Sequence, residues 1–188
     1  MPSVWPATDY RRQMGTSQVE HRFRRLYGEN YRLLYAYALR RCGDPAEAQD
    51  IAAEVFLVAW RRFHNAPAND EEVRLWLYAI ARRVVSNHRR GRDRRLRLVA
   101  KLVATTRDNT PHDDDHDARE RSHALLSALA LLRDEDREVL LLAAWEELST
   151  KQIAAVLDCS ENAAAIRLHR ARKRLTDVYR KETAASGH

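Results

Sequence analysis

Apolar residues recur along most of this chain at steps of three and four positions, which is the spacing of one face of an α-helix. The pattern predicts helices over residues 19–42, 45–63, 70–98, 122–132, 134–145, 149–157 and 160–175. In the first three helices the positions expected to face inward are Phe23, Leu26, Tyr27, Leu34, Tyr37 and Ala38; Ile51, Val55, Phe56, Ala59 and Trp60; and Val73, Trp76, Leu77, Ile80, Ala81 and Val84. Tyr78 is expected on the outside, and the third helix runs into an arginine-rich extension over residues 89–97, which we expect to contact phosphates.

Start and stop signals divide these helices from one another. Gly43 follows the first helix, and Asp44-Pro45 predicts the N-cap and first position of the second, with Glu47 closing a capping box. Asp70 is expected to cap the third helix.

The composition changes sharply in the middle of the chain, where residues 105–120 read TTRDNTPHDDDHDARE. Such a polar segment cannot bury apolar surface, so we expect an acidic linker over residues 99–121. Its histidines and aspartates have nothing to order them, and we expect no metal site. The predicted organisation is therefore a tail (1–18), a helical domain (19–98), the linker, a second helical domain (122–182) and a short C-terminal tail (183–188).

The second domain opens with a leucine stripe and ends in two short helices around a tight turn. The stripe comprises Leu125, Leu126, Leu129 and Leu132, and residues 139–145 are apolar nearly all round, hence expected to be buried. Ser149 with Gln152 forms a capping-box pattern before one short helix, and Ser160 is a plausible N-cap for the next.

The last helix has one apolar face and is otherwise basic. Ala164, Leu168, Ala171 and Leu175 share the inward face, leaving Arg167, His169, Arg170, Arg172, Lys173 and Arg174 outside. This is the pattern of a helix-turn-helix whose second helix enters a DNA major groove, where arginine can donate two hydrogen bonds to guanine. The alternative is a solvated basic face on an ordinary helical hairpin.

Charge and composition agree with a helical protein that binds a polyanion. The 188 residues are 45% hydrophobic and 32% charged with only 5 Gly and 5 Pro, and the formal net charge is +6. Cys42 and Cys159 fit reduced thiols in a cytoplasmic protein better than a disulfide framework. The longest apolar run, residues 139–145, is too short to insert into a membrane. We see no catalytic motif and expect neither enzymatic activity nor a cofactor.

Three stretches in order carry a family resemblance. DPAEAQDIAAEVFLVAWRRF resembles sigma region 2.1–2.2, EEVRLWLYAIARRVVSNHRR resembles region 2.3–2.4, and residues 125–175 resemble region 4. Together they resemble the extracytoplasmic-function (ECF) group of bacterial RNA polymerase sigma factors, over roughly residues 23–98 and 125–181. The resemblance implies an all-α fold of two small domains, a region 2 bundle and a region 4 helix-turn-helix.

The resemblance also implies partners and roles for particular residues. Core RNA polymerase would bind Asp50 and Glu54; the promoter −10 element would contact Asn65, Asn69, Arg82, Arg83, Asn87 and Arg90; and the −35 element would contact Ser160, Asn162, Arg167, His169, Arg170 and Arg172. An anti-sigma factor is a further partner that the family implies. The alternative function is a stand-alone helix-turn-helix regulator, which would need a ligand pocket or receiver domain in its first half.

Several positions depart from the family pattern. Ala53 stands where a glutamine is common, Arg82-Arg83 where Arg-Asn is common, and Asn87 where an aspartate is common. The recognition helix has NAAAIR at residues 162–167 where Gly-Thr-Val-Lys-Ser-Arg is common. The preferred −10 and −35 sequences therefore cannot be carried over from the family.

Overall fold

The computed structural model describes the backbone of residues 16–100 and 116–186, and the side chains of residues 17–92 and 124–183. The chain divides into two compact units, Met1–Ala104 and Thr105–His188. All regular secondary structure in the described parts is helical, as predicted. None of the described helices combines the length and the apolar character that crossing a bilayer requires.

The first unit contains three long helices: α1 (Thr16–Cys42), α2 (Pro45–Arg61) and α3 (Asp70–Ala100), with a 3₁₀ turn (Phe63–Asn65) between the last two. Gly43 ends α1 with φ 74°, a left-handed conformation that glycine adopts without steric cost. The Asp44 carboxylate accepts from the Glu47 N–H at 2.7 Å and so caps α2, as predicted. The Glu47 carboxylate does not close the box; it pairs with Arg92 of α3 at 3.3 Å.

The core of the first unit forms where the three helices pack on one another. Almost all of the positions predicted to face inward are buried there, and Leu34, Ile51, Val55 and Leu77 are among the largest fully buried side chains. Phe23 completes this core by packing edge-on against Phe63 at 5.3 Å between ring centroids.

Three aromatic positions of the first unit differ from the prediction. Tyr27 is 44% exposed although it lies near the apolar stripe of α1, and Trp60 is only partly buried. Tyr78, expected outside, is 2% exposed and packs on Tyr37 at 5.2 Å between ring centroids. Tyr78 is buried because α3 packs against both α1 and α2 and therefore buries a wider face than a single stripe.

The cap of α3 is one residue earlier than predicted. Asn69 Oδ1 accepts from the N–H groups of Glu71 at 2.8 Å and Glu72 at 3.4 Å. Asp70 is the first helical residue, where its negative charge favours the helix N-terminus. The N-cap side chain must precede the helix to reach these unpaired donors, so Asn69 takes the role.

The second unit contains α4 (His116–Leu131), α5 (Asp134–Ala144), α6 (Thr150–Leu157) and α7 (Glu161–Ser186). α7 packs against the other three helices and buries Ala164, Leu168 and Ala171. Ser149 forms the predicted capping box with Gln152, through bonds of 3.3 and 2.8 Å.

Parts of the segments predicted to be irregular are helical. α3 continues to Ala100 and α4 begins at His116, so both ends of the linker predicted over residues 99–121 belong to helices. Residues 101–115 lie outside the described residues, as does most of the predicted N-terminal tail. α7 also continues to Ser186, into the predicted C-terminal tail. Helical hydrogen bonding can continue past the last apolar contact, where the apolar period no longer marks it.

The leucine stripe of α4 is only half buried. Leu129 and Leu132 are each 7% exposed, whereas Leu125 and Leu126 are 38% and 60% exposed. The second pair lies about one turn earlier, where the described neighbours no longer cover the helix. Trp145, predicted to be buried, is 47% exposed because it follows the last turn of α5.

Candidate nucleic-acid interface

The helix α7 presents a basic face from a capped N-terminus. Ser160 Oγ accepts from the Ala163 N–H at 3.2 Å, which confirms it as the N-cap. The predicted DNA-contacting side chains that follow are all exposed, while the opposite face is buried; they are Asn162, Arg167, His169, Arg170 and Arg172. The geometry therefore offers cationic side chains and unpaired helix N–H groups together, both of which attract phosphate.

The turn before α7 is fixed by backbone conformation. Asp158 has φ 55° and ψ 52°, a left-handed conformation that aspartate tolerates better than most residues. The Cys159 N–H then donates to the Ala154 carbonyl at 3.1 Å. This closure ends α6 and redirects the chain into α7 within three residues, as the helix-turn-helix pattern predicts.

Arg174 is not part of the free basic face on which the sequence pattern placed it. Its Nη1 lies 2.7 and 2.6 Å from the two carboxylate oxygens of Asp136 on α5, and Asp136 is only 8% exposed. The pair anchors α7 to α5 and so orients the basic face. A sequence signal existed: Asp136 lies three residues before Val139, on the inward face of α5, where a carboxylate needs a cation.

In the first unit, the exposed face of α3 carries a polar strip at helical spacing. Arg83, Asn87 and Arg90 are all exposed and follow each other at i, i+4 and i+7. Asn87 Oδ1 accepts from Arg90 Nη2 at 2.5 Å, so these two side chains are held together. Arg82 is half-buried and lies about 100° around the helix, beside this strip rather than in it.

The two predicted asparagines lie in the segment that precedes α3. Asn65 is half-buried in the 3₁₀ turn, and Asn69 is exposed with its side-chain oxygen used for the cap. The loop between them is held down by the buried Pro67, whose carbonyl accepts from Arg22. Asn69 and Arg90 are about 30 Å apart along the helix axis at 1.5 Å per residue, so the predicted residues form an elongated surface and not one pocket.

Part of the predicted phosphate-contacting extension has internal roles. Arg89 Nη2 donates to the Arg41 carbonyl at 2.8 Å, satisfying one of the last carbonyls of α1. Arg92 pairs with Glu47, as described above. Both guanidinium groups therefore have oxygen acceptors at neighbouring helix ends, and their contact with phosphate stays a prediction. The side chains of Arg94, Arg95 and Arg97 lie outside the described residues.

The two acidic residues predicted to bind polymerase lie one turn apart on α2 in different environments. Asp50 is exposed. Glu54 has a side chain 43% exposed, and its Oε2 accepts from Nε2 of His88 on α3 at 2.7 Å. Leu57 continues the same outer face and is 48% exposed. No sequence pattern indicates the His88–Glu54 contact, since it depends on how α2 and α3 pack.

Other reactive groups are sparse in the described parts of the chain, where no group of three or more His, Cys, Asp or Glu residues could hold a metal ion. Cys42 and Cys159 are free thiols, both partly buried. Burial raises the pKa of the Cys42 thiol above its usual value of 9.0, against a smaller opposing effect of the hydrogen bond to Asp44 O.

Comparison with known proteins gives matches to two family models in the order of the two units. The model for Sigma-70 region 2 matches residues 26–95, and the model for Sigma-70, region 4 matches residues 122–175.

Individual sigma factors are similar over most of the chain. The ECF RNA polymerase sigma factor SigL of Mycobacterium tuberculosis is 34% identical over 149 residues, covering 78% of this chain and 82% of that protein. The ECF RNA polymerase sigma factor BldN of Streptomyces coelicolor is 30% identical over 151 residues, covering 79% of this chain and 57% of that protein.

Among solved structures, the sigma factor RpoE of Bartonella quintana, in complex with the anti-sigma factor NepR, has a similar fold. It superposes with a TM-score of 0.62 at 21% identity, over 84% of this chain and 96% of that one. The structure of CnrH with the cytosolic domain of CnrY superposes with a TM-score of 0.56 at 23% identity, over 86% of this chain and 92% of that one.

Proposed function

Because this chain belongs to the extracytoplasmic-function group of RNA polymerase sigma factors, we propose that its two helical units divide promoter recognition between the −10 and −35 elements. The chain is an alternative sigma factor that directs promoter recognition and transcription initiation with RNA polymerase. The division assigned here is a region 2 domain over residues 19–98 and a region 4 domain over residues 122–182. The chain contributes binding and positioning, while the chemistry of RNA synthesis belongs to the polymerase.

The second unit binds duplex DNA of the −35 element through α7. The observation that supports this is the exposed basic face of a helix whose other face is buried. Its N-cap, Ser160, is also exposed to solvent. Ser160 and Asn162 lie at the end of α7 where backbone N–H groups attract phosphate. Arg167, His169, Arg170 and Arg172 follow along the groove, where arginine can bind guanine edges or phosphates.

The first unit binds the −10 element along α3. The strip of Arg83, Asn87 and Arg90, about 30 Å long when extended to Asn69, spans several nucleotides of a strand. Arg82 and Asn65 flank it. Asn69 contributes its amide N–H₂, because its oxygen already caps the helix. Asparagine and arginine side chains suit the hydrogen-bonding edges of unpaired bases and the sugar-phosphate backbone.

Core RNA polymerase binds the outer face of α2 through Asp50 and Glu54. Two carboxylates one turn apart repel slightly on an isolated helix, which a basic partner surface would relieve. An anti-sigma protein that covers this face or α7 would silence the factor, and the similar RpoE and CnrH structures were solved with NepR and CnrY bound. We place this activity in the cytoplasm.

The decisive experiment compares promoter protection by the purified chain with and without core polymerase. A sigma factor of this kind gives a footprint over both elements only when core is present. A stand-alone regulator, the alternative function, would protect the −35 duplex by itself at the same concentration.

The polymerase contact is tested by reversing both charges, Asp50→Arg with Glu54→Arg. We expect affinity for core to fall by about tenfold or more, since two charge contacts become repulsive. The matched control is Glu20→Arg with Glu29→Arg, which makes the same change in net charge on exposed residues of α1. Equal loss of affinity in both proteins, measured by titration of labelled core, would reject the assignment to Asp50 and Glu54.

The −35 contact is tested by Arg167→Ala and Arg170→Ala. Each is expected to weaken promoter binding of the holoenzyme by about 1–3 kcal/mol if it contacts a base, and a phosphate contact would show as a weaker salt dependence without a change in specificity. Lys181→Ala is the control on the same helix, about 20 Å further along its axis than Arg167. Unchanged promoter output from both arginine variants would contradict the proposed role of α7.

A further inference from the structure

A side-chain hydrogen bond connects α2 to α3 beside the proposed polymerase-binding residues. His88 Nε2 donates to Glu54 Oε2 at 2.7 Å, between residues 34 positions apart in the chain. The histidine side chain is 28% exposed and the glutamate side chain 43% exposed, so the contact lies at the rim of the helix packing, open to a partner.

The contact restricts a side chain that would otherwise be mobile. An exposed glutamate samples many rotamers, and binding that immobilises it costs free energy. The His88 ring is partly buried on a well-packed helix, so it fixes the carboxylate before a partner arrives. In the described parts of the chain Glu54 accepts only this one bond, whereas a carboxylate has about four acceptor positions. The Glu54 carboxylate can therefore accept further hydrogen bonds from a cationic or N–H donor on a partner protein.

We propose that His88 is a positioning residue that holds the Glu54 carboxylate in the conformation that core RNA polymerase binds. The inference rests on the proposed role of Glu54 and adds a residue from α3 to the polymerase-binding surface. His88 directly follows Asn87 of the DNA-binding strip, so consecutive residues of α3 serve the two faces of the first unit.

A purely structural role would be to tie α2 to α3, and the chain contains a second tie that separates the two explanations. Arg92 and Glu47 join the same two helices at 3.3 Å without contacting Glu54. Loss of this pair should lower the stability of the helix packing while leaving the Glu54 carboxylate in place.

The experiment measures affinity for core polymerase without DNA, together with thermal unfolding of each full-length variant. His88→Leu fills similar space but removes the donor, and we expect affinity about three- to tenfold weaker, the range expected for mobilising one side chain. His88→Gln places an amide N–H₂ near the former Nε2 and should restore affinity to within about twofold. Arg92→Ala should bind core like the parent protein even if it melts earlier.

A double-mutant cycle with Glu54→Ala completes the test. Glu54→Ala alone should weaken binding, and adding His88→Leu should weaken it no further, because the histidine acts only through the carboxylate. Equal losses of affinity in Arg92→Ala and His88→Leu, or an unchanged His88→Leu beside a weakened Glu54→Ala, would overturn the positioning role alone. An unchanged Glu54→Ala would instead overturn the proposed polymerase contact itself.

Discussion

The pair of Asp136 and Arg174 gives the sharpest stability prediction for the second unit, because it links the recognition helix α7 to α5. We consider Asp136→Asn, which keeps the side-chain shape and removes the charge. Nη1 of Arg174 lies within 2.7 Å of both carboxylate oxygens, and the Asp136 side chain is 11% exposed while that of Arg174 is 50% exposed.

The expected magnitude follows from this asymmetry in exposure. A hydrogen bond to a charged partner is worth about 1.5–3 kcal/mol, and the solvent that reaches Arg174 lowers this to about 1–2 kcal/mol. Asp136 also lies in the first turn of α5, where a negative charge contributes a further ~0.3–1 kcal/mol with the helix dipole. For a small domain, each kcal/mol lowers the midpoint of thermal unfolding by about 4–8 °C.

The control is Asp134→Asn in the same turn. Asp134 is paired with Arg137 at 3.4 Å, but its side chain is 65% exposed, so the variant loses the dipole contribution and only a weak surface pair. Subtracting the two effects leaves the contribution of the bond between Asp136 and Arg174.

Hydrogen exchange of the full-length protein measures the effect within the second unit. We expect amide protection in α5 and α7 to fall by about ten- to a hundredfold for Asp136→Asn, because the pair and the dipole together contribute about 1.3–3 kcal/mol and each 1.4 kcal/mol corresponds to a factor of ten. Asp134→Asn should change it by no more than about fivefold, the upper end (~1 kcal/mol) of the dipole effect. Equal loss of protection in the two variants would show that the pair contributes nothing beyond the helix dipole and would refute the reasoning.

Two further predictions concern single side chains. Ser160→Ala removes the N-cap of α7 and should destabilise the second unit by about 1 kcal/mol, seen as faster amide exchange at residues 161–164; Ser160→Asp should retain the cap, and equal exchange in the two variants would contradict the capping role. The Cys42 thiol, whose pKa is raised by burial, should react with iodoacetamide more slowly in the folded Cys159→Ser protein than in urea at pH 8. A raised pKa stabilises the folded state at pH values below the thiol's usual pKa of 9.0, and this stabilisation should disappear as the pH rises through the higher pKa of the folded state. Equal alkylation rates in folded and unfolded protein would refute the burial effect.

Local patterns predicted the helices well wherever the determining interactions lie close in sequence. The capping box of Ser149 and Gln152, the glycine end of α1 and the buried face of α7 each depend on residues within a few positions of one another. The same holds for the exposed basic face of α7, since one buried stripe dictates what remains outside.

The assignments that failed depend on which helix lies beside which. Tyr78 is buried because the packed face of α3 is wide, and Trp145 is exposed because it follows the last turn of α5. The helical period encodes neither the width nor the end of a packed face. Arg89, Arg92 and Arg174 resemble free cations in the sequence, yet each has an acceptor brought by another helix, 48, 45 and 38 positions away.

The sequence alone determined a two-part helical chain with a basic recognition helix, because apolar spacing, caps and charge are local properties, and its three ordered motifs carried the resemblance to sigma factors. Only the tertiary structure decided which charged residues are available to partners and which are consumed in holding the helices together. The physical reason is that a charged side chain is satisfied by whatever acceptor or donor the packing brings within about 3 Å, and that neighbour is usually distant in the chain.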